Sequence, residues 1–270
     1  MEKKLSFLAF YFCEEGYDLI QTPAIFEKRA LALTEMGFDG LELMVRDATQ
    51  VDRAMLRRLA AQGVRYAALG TGKVFTADGL SFSDTDPAVR AAAVRRIQDT
   101  LDLAQELGGA PVILGSCRGD STAPGAMERI CACLEDCCRH AEQCGGRLAL
   151  EPIRSNELPT IHRVDEALAV IERIGSPALG LTLDSCNMNV EEDSLEQATL
   201  RAAGHIFHVQ VADDNRRYPS SGHIDFPRFL TALYRTGYDG YVSAELSECD
   251  DPLEDARRTL QYLRAVTCGM

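Results

Sequence analysis

Arg147-Leu-Ala-Leu-Glu151-Pro152 is a short apolar run that stops at a carboxylate. The pattern returns one unit later in Leu181-Thr-Leu-Asp184, where a second apolar run also stops at a carboxylate. Short apolar runs bounded by turn residues are typical of strands that are buried on both faces. We therefore predict buried parallel strands whose C-terminal ends hold the polar, chemically active side chains.

Runs of this kind alternate with amphipathic segments along the chain. The predicted strands are residues 5–12, 40–45, 64–69, 111–115, 147–151, 180–184, 206–211 and 240–245. The predicted helices are residues 24–36, 87–107, 126–143, 164–174, 195–203, 227–236 and 252–265. Strands that alternate with helices in this way predict parallel strands joined by crossover helices.

Eight such strands predict a single (β/α)₈ TIM barrel domain over residues 1–270, a fold that typically takes ~250 residues. Asp-Pro pairs at residues 86–87 and 251–252 have the form of a helix N-cap followed by proline. An open doubly wound sheet is disfavoured, because the first predicted strand is not followed by the GxGxxG loop of dinucleotide-binding folds. In a barrel of this kind the active site lies at the C-terminal ends of the strands.

The formal net charge of −13 argues against nucleic acid and anionic membranes as partners, because both would be repelled. No stretch approaches the ~20 apolar residues that cross a bilayer. The apolar run at residues 5–12 is followed by Cys13-Glu14-Glu15 rather than a cleavage site, so we interpret it as the first strand. The ten cysteines, five of them between residues 131 and 144, are interpreted as small buried hydrophobes of a reduced, cytoplasmic protein.

Four polar residues fall at the ends of four consecutive predicted strands: Glu151, Asp184, Gln210 and Glu245. Each lies about one strand-helix unit from the next, so parallel strands bring all four to one level at the mouth of the barrel. On the seventh strand, His208 and Gln210 share a face, because side chains along a strand alternate with a period of two.

Three carboxylates in one partly buried space raise one another's pKa values unless a positive charge compensates them. A single divalent cation is the simplest compensation. Carboxylate and carboxamide oxygens suit Mn²⁺ or Mg²⁺ better than Zn²⁺. We therefore predict one divalent ion at these four residues.

Four stretches around these residues resemble one known family. They are LEPIRSNE (150–157), LTLDSCNMNVEE (181–192), HVQVADDNRR (208–217) and YDGYVSAEL (238–246). The chain resembles the sugar phosphate isomerase/epimerase superfamily of xylose isomerase-like barrels, and within it the ketose 3-epimerases and hydroxypyruvate isomerases. The similarity extends from FDGLEL (38–43) to residue 246, which is nearly the whole chain.

The resemblance implies that Glu151, Asp184, Gln210 and Glu245 are the metal ligands. It also implies that the catalytic residues are the two glutamates, Glu151 and Glu245, which move protons. One ligand position departs from the epimerase pattern: epimerases have His on the seventh strand, where this chain has Gln210, as the hydroxypyruvate isomerases do.

The resemblance further implies two contacts with the substrate. Glu157 would bind a substrate hydroxyl, and Arg216 would hold a substrate oxygen, with its neighbour Arg217 as the second choice. Where a substrate-contacting His is expected after the sixth strand, this chain has Asn187, which can hydrogen-bond a hydroxyl but cannot carry a proton. The departure leaves the identity of the substrate open.

Lys73, Arg118 and His208 complete the predicted substrate contacts. Lys73 follows the third strand, and we interpret it as a contact with substrate rather than as the Schiff-base lysine of an aldolase. Arg118 follows the fourth strand and either lines the pocket or pairs with Glu42. His208 points inward and would orient Gln210 or a neighbouring carboxylate.

The predicted activity is isomerisation or epimerisation of a sugar or similar keto compound by proton transfer through a metal-stabilised enediolate. A dehydratase or lyase acting on an inosose or keto sugar, and an accessory barrel subunit of a sugar-modifying complex, remain alternatives. An endonuclease IV-type DNA-repair barrel is disfavoured, because five histidines and a net charge of −13 do not provide its zinc cluster and basic face. The expected partner is a small carbohydrate, and homo-oligomerisation is left open.

Overall fold

Eight parallel strands close into a barrel in the computed structural model, which describes residues 3–8, 23–247 and 251–270. The strands are β1 (Leu5–Leu8), β2 (Gly40–Met44), β3 (Tyr66–Gly70), β4 (Val112–Leu114), β5 (Leu148–Leu150), β6 (Leu179–Asp184), β7 (Ile206–Val211) and β8 (Val242–Ala244). Each strand pairs with the next along the chain, and β8 pairs with β1 to complete the ring. The predicted (β/α)₈ barrel is confirmed.

Ten α-helices lie in the described part of the chain. They are α1 (Pro23–Met36), α2 (Arg53–Ala61), α3 (Gly72–Thr76), α4 (Pro87–Glu106), α5 (Ala126–Cys144), α6 (Val164–Ile174), α7 (Ser185–Glu191), α8 (Leu195–Arg201), α9 (Phe226–Arg235) and α10 (Pro252–Thr267). A short 3₁₀ turn, Ser116–Arg118, follows β4. Among the described residues, no helix combines the length and the apolar character needed to span a membrane.

The sequence predicts no helix at the positions of α2, α3 and α7. All three are short, and α2 buries only Met55, Leu56 and Leu59. A hydrophobic pattern of so few residues is difficult to distinguish from a loop. The α2 helix begins after Asp52, whose side chain accepts a hydrogen bond from the backbone N–H of Met55. The connection between β2 and β3 is therefore helical, like the other crossovers.

The strands that lead to the site end slightly earlier than predicted. The predicted fifth and eighth strands include Glu151 and Glu245, whereas β5 and β8 each end one residue before the glutamate. Both glutamates still donate their backbone N–H groups to a neighbouring strand, Glu151 to Leu114 and Glu245 to Val211. The two side chains therefore stand where the sheet passes into loop. Residues 9–12 of the predicted first strand lie outside the described residues.

Alternating side chains give the strands near the site one apolar and one polar face. The apolar residues of β6 and β7 pack into the hydrophobic core with the helices: Leu181, Leu183, Val209 and Val211. Between them, Thr182 is in register with His208, and Asp184 is in register with Gln210. All four of these polar residues are buried. The inner face of this part of the sheet is therefore polar.

We expect Gly180→Ala to destabilise the barrel. A Cβ atom at Gly180 of β6 would lie 2.5 Å from the carbonyl oxygen of His205 and 2.6 Å from Cγ of Phe207. Overpacking of this kind costs about 1–3 kcal/mol of unfolding free energy, which urea denaturation would measure. Gly72→Ala is the control, because its Cβ would have its nearest neighbour at 3.4 Å. Equal loss of stability in the two variants would contradict this reading of the packing.

Candidate metal centre

Three carboxylates converge where the strands end. Glu151 follows β5, Asp184 ends β6 and Glu245 follows β8. One oxygen atom from each carboxylate lies within 4.8 Å of those from the other two. The exposed fractions of the three residues are only 9%, 1% and 8%, so water screens their mutual repulsion weakly. The structure brings together the three acidic residues that the sequence places at strand ends.

Gln210 stands beside this group, in register with Asp184. Its carboxamide nitrogen, Nε2, donates a hydrogen bond to Oε1 of Glu42 at 2.7 Å. Its carboxamide oxygen, Oε1, is buried and has no hydrogen-bond partner among the described residues. Buried polar atoms are rarely left unpaired, and an unpaired one in a native structure calls for a partner such as an ion or a water molecule.

Glu42 of β2 holds both polar side chains of β7. It is fully buried, and its two oxygens accept hydrogen bonds from Nε2 of Gln210 at 2.7 Å and from Nε2 of His208 at 2.8 Å. The pairing of Glu42 with Arg118 that the sequence left open is wrong. His208 instead shares Glu42 with Gln210, and its orienting role stays a prediction.

Arg216 supplies a positive charge to the carboxylates. Its Nη1 lies 2.9 Å from both oxygens of Asp184, and its Nη2 lies 2.8 Å from Oε2 of Glu245. The side chain is 22% exposed, so these ion pairs are partly shielded from water. A single guanidinium charge thus offsets part, but not all, of the charge of the three carboxylates.

The loop between β7 and α9 presents Arg216. Asp213 is fully buried, and its side chain accepts hydrogen bonds from the backbone N–H groups of Asp214, Ser220 and Ile224. The backbone N–H of Arg216 bonds to the carbonyl oxygen of Asp213 at 2.8 Å, and Arg216 itself has a left-handed φ of 60°. The buried aspartate thus ties the loop into the shape that turns Arg216 toward the site, a role that the sequence analysis missed.

Burial changes the proton affinity of the two glutamates. It raises the pKa of Glu151 to about 8, and the neighbouring charge of Asp184 adds to the rise, while Arg216 and Arg118 oppose it. Burial also raises the pKa of Glu245 well above its usual range, against the opposing charge of Arg216. Without a further cation, the site therefore favours protonated glutamates near neutral pH.

Asn187 links two of the carboxylates. Its backbone N–H donates to Oδ1 of Asp184 at 2.7 Å, and its Nδ2 donates to Oε1 of Glu151 at 3.0 Å. At Gly115, just after β4, a Cβ atom would lie 2.5 Å from Oε2 of Glu151. The absence of a side chain at Gly115 therefore leaves the space that the Glu151 carboxylate occupies.

Arg118 lies behind Glu151 rather than at the pocket surface. The side chain is fully buried, and its guanidinium donates to the backbone carbonyl oxygens of Glu151, Thr160 and Ile161. The expectation that Arg118 lines the pocket is corrected accordingly. A fully buried guanidinium that is bonded to three carbonyl groups braces the loop after β5.

Three other predicted residues lie outside the group of carboxylates. Glu157 is exposed on the loop after β5, where it forms an ion pair with Arg154. Lys73 is half-buried in the first turn of α3. Arg217 donates to Oδ2 of Asp255 on α10 at 3.0 Å, so it turns away from the carboxylates while Arg216 faces them.

The residues present fit a hard divalent cation. Three carboxylates and the buried amide oxygen of Gln210 form a donor set made only of oxygen atoms, which suits Mn²⁺ or Mg²⁺. A second group of possible ligands, Asp102, His140 and Cys144, lies on the outer helices α4 and α5 and contains an exposed aspartate. That group stands apart from the strand ends, and we assign it no role.

Comparison with known proteins identifies one family. The sequence profile of the xylose isomerase-like TIM barrel matches residues 30–266. An L-ribulose 3-epimerase of Mesorhizobium japonicum is 32% identical over 228 residues, which cover 81% of this chain and 74% of that protein. A ketose 3-epimerase of Arthrobacter globiformis is 29% identical over 236 residues, which cover 85% of this chain and 80% of that protein.

A solved structure shares the same fold. The crystal structure of a D-allulose 3-epimerase from Methylomonas sp. superposes with a TM-score of 0.84 and covers 98% of each chain. The sequence identity is 22%, so this similarity supports the fold alone.

We expect the metal-free protein to lose stability as the pH rises from about 5 to about 8. The pKa of Glu151 is about 8 in the folded chain and near 4.5 when the group is unperturbed. The folded state therefore keeps a proton that the unfolded state has released, and the stabilisation is lost as the pH rises through the folded pKa. Between these two pKa values, such a group lowers the free energy of unfolding by up to about 1.4 kcal/mol for each unit of pH increase.

Urea denaturation at a series of pH values would measure this slope. Glu151→Gln should flatten it, because the amide does not titrate. A metal-free wild-type protein whose stability follows the same pH profile as the variant would contradict the assignment.

Proposed function

Because this chain belongs to the family of xylose isomerase-like TIM barrels and is an enzyme of the isomerase class, we propose that it is a divalent-metal-dependent sugar epimerase. The observation that carries the proposal is the convergence of Glu151, Asp184 and Glu245 beside the buried amide oxygen of Gln210, which has no hydrogen-bond partner in the described part of the chain. The relatives named above act on L-ribulose and other ketoses. A small ketose is therefore the substrate class we propose.

The metal ligands in this proposal are Glu151, Asp184, Gln210 and Glu245. When bound, Mn²⁺ or Mg²⁺ would act as a Lewis acid that polarises the substrate carbonyl and stabilises the negative charge that develops as the α-proton leaves. The protein supplies the remaining chemistry: it binds the substrate, and it accepts and returns the proton.

Glu151 and Glu245 are the proposed proton carriers. They stand on either side of Asp184 and Gln210, because β5 and β8 flank β6 and β7 in the ring. One glutamate, as the carboxylate, would remove the proton from the carbon next to the carbonyl. The other, as the carboxylic acid, would deliver a proton to the opposite face and so invert that carbon. General acid–base catalysis of this type contributes about 10²–10⁴-fold to rate.

Neighbouring side chains would hold these groups in place. Nδ2 of Asn187 donates a hydrogen bond to Oε1 of Glu151. The second carboxylate oxygen of Glu151, Oε2, would remain available for the reaction. The Arg216 guanidinium donates hydrogen bonds to Asp184 and Glu245. Once a cation neutralises the charge of these carboxylates, Arg216 would donate to a substrate oxygen instead. Glu157, on the loop after β5, and Lys73, in the first turn of α3, are the further proposed substrate contacts. His208 instead bonds to Glu42, the residue that also bonds to Gln210.

Isomerisation of a short hydroxy-keto compound is the second candidate. The observation that favours it is Gln210, a carboxamide at the ligand position where the epimerase pattern has an imidazole. In this reaction the same glutamate that removes the proton would return it to the neighbouring carbon.

Hydrogen exchange tests the proposal directly. We expect the Mn²⁺-loaded protein in D₂O to introduce deuterium at the carbon next to the carbonyl of at least one ketose, because that proton must leave in either reaction. The panel should contain L-ribulose, D-allulose, D-tagatose, an inosose and hydroxypyruvate, with NMR as the readout and the metal-stripped protein as control. A loaded, folded protein that exchanges none of these protons would refute the proposed activity.

The roles of the two glutamates call for matched variants. Glu151→Gln and Glu245→Gln should each reduce exchange by at least about 10²-fold, because the amide cannot accept the proton. Glu192→Gln is the control: this glutamate side chain is 1% exposed and pairs with Arg163 and Arg201 outside the site. Thermal unfolding would verify that each variant is folded. Exchange at the wild-type rate by the Glu151/Glu245 double variant would exclude both residues as proton carriers.

A further inference from the structure

We propose that Glu42 is a positioning residue that turns the carboxamide of Gln210 so that its oxygen, and not its nitrogen, faces the metal site. Oε1 of Glu42 accepts a hydrogen bond from the amide nitrogen of Gln210 at 2.7 Å. The amide oxygen of Gln210 is buried and has no hydrogen-bond partner among the described residues. The inference rests on the proposed function, in which Gln210 is a metal ligand. It concerns a residue that does not itself touch the ion.

A glutamine ligand has an orientation problem that a carboxylate ligand does not have. The two ends of its carboxamide have nearly the same shape, but only the oxygen can bind a cation, since the NH₂ group is a donor. A flip of the amide would direct two N–H groups toward the site and would remove the fourth oxygen from the donor set. Something in the protein must therefore select one of the two orientations.

Glu42 makes that selection because a carboxylate accepts hydrogen bonds and does not donate them. In the observed orientation, Nε2 of Gln210 donates to Oε1 of Glu42. In the flipped orientation, two oxygens would face each other in a fully buried space, which would repel them and leave both without a donor. Burial makes this penalty large, because water cannot replace the missing hydrogen bond.

Glu42 is itself held in place. Its second oxygen, Oε2, accepts a hydrogen bond from Nε2 of His208 at 2.8 Å, and the side chain is fully buried. His208 and Gln210 lie two residues apart on β7 and therefore project from the same face. The Glu42 carboxylate thus accepts one hydrogen bond on each oxygen, from the inward-facing side chains of His208 and Gln210 on β7.

The contact crosses the barrel. β2 pairs with β1 and β3, whereas β7 pairs with β6 and β8, so the two strands are not neighbours in the ring. The Glu42 side chain spans the interior between them. Because both ends lie on barrel strands rather than on loops, the orientation of Gln210 is set by the most rigid part of the fold.

The affinity for Mn²⁺ tests this role, and the free Mn²⁺ signal in electron paramagnetic resonance measures it without reference to activity. We expect Glu42→Gln to weaken Mn²⁺ binding by about 10- to 100-fold, the usual effect of losing a residue that orients a metal ligand. A glutamine at this position can donate as well as accept, so it no longer selects one amide orientation of Gln210.

Exchanging the side chains of residues 42 and 210 shows whether a loss of Mn²⁺ affinity comes from the orientation of the amide or from a structural disturbance. In the Glu42→Gln/Gln210→Glu double variant, the new glutamine can still accept from His208 and can donate to the new glutamate. The new ligand is a carboxylate, whose two oxygens are equivalent, so no orientation has to be selected. We expect the swap to restore Mn²⁺ affinity to the wild-type level or above it.

Asp47→Asn controls for the loss of a buried negative charge. Asp47 is 6% exposed and lies three residues beyond β2, where it bonds to Thr49, Gln50 and Arg96 rather than to a proposed ligand. This variant should bind Mn²⁺ as the wild type does. An equal loss of affinity in the Asp47 and Glu42 variants would show that charge, not orientation, is responsible, and would overturn the inference.

The remaining outcomes are also decisive. Wild-type affinity in Glu42→Gln, or a folded swap variant that stays as weak as Glu42→Gln, would overturn the inference. If Glu42→Gln does not fold, the swap variant still decides, because it keeps both hydrogen bonds and must bind Mn²⁺ tightly.

A wild-type protein without Mn²⁺ affinity would overturn this inference and the proposed function together. A wild-type protein that binds Mn²⁺ but exchanges no sugar proton would overturn only the proposed function.

Discussion

Repulsion among three buried carboxylates dominates the electrostatics of the site. Glu151, Asp184 and Glu245 have oxygens within 4.8 Å of one another in a place that water barely reaches. Arg216 compensates part of this charge, yet the pKa values of both glutamates remain raised. Carboxylates that still bind protons under these conditions have a strong electrostatic preference for an added cation, and the buried amide oxygen of Gln210 would give that cation a fourth ligand.

The barrel makes this crowding possible because all of its parallel strands end on the same side. The loops that follow the strands are then braced by buried polar side chains. Arg118 bonds to three carbonyl groups of the loop after β5, and Asp213 binds three backbone N–H groups of the loop after β7. Stability and function are connected at these two residues, because the loops that they hold present Glu151 and Arg216.

The convergence of the acidic residues was predictable, whereas their immediate partners were not. An apolar run that stops at a carboxylate is visible in the sequence, and parallel strands leave little choice about where such an end must lie. Arg118 looked like a pocket residue because it follows a strand, but the direction of its side chain depends on the path of the next loop. The space that Gly115 leaves for Glu151 likewise exists only once β4 and β5 are adjacent.

The alternation of strands and helices, the barrel that this alternation implies and the residues at the strand ends can all be derived from the amino-acid sequence, because each of them follows from local periodicity and strand order. Two other features depend on the folded chain: Arg216 rather than Arg217 faces the carboxylates, and Glu42 bonds to His208 and Gln210 across the barrel. Those contacts join residues that are far apart in the chain, and their geometry is set when the ring of strands closes and fixes the directions of the inward-facing side chains.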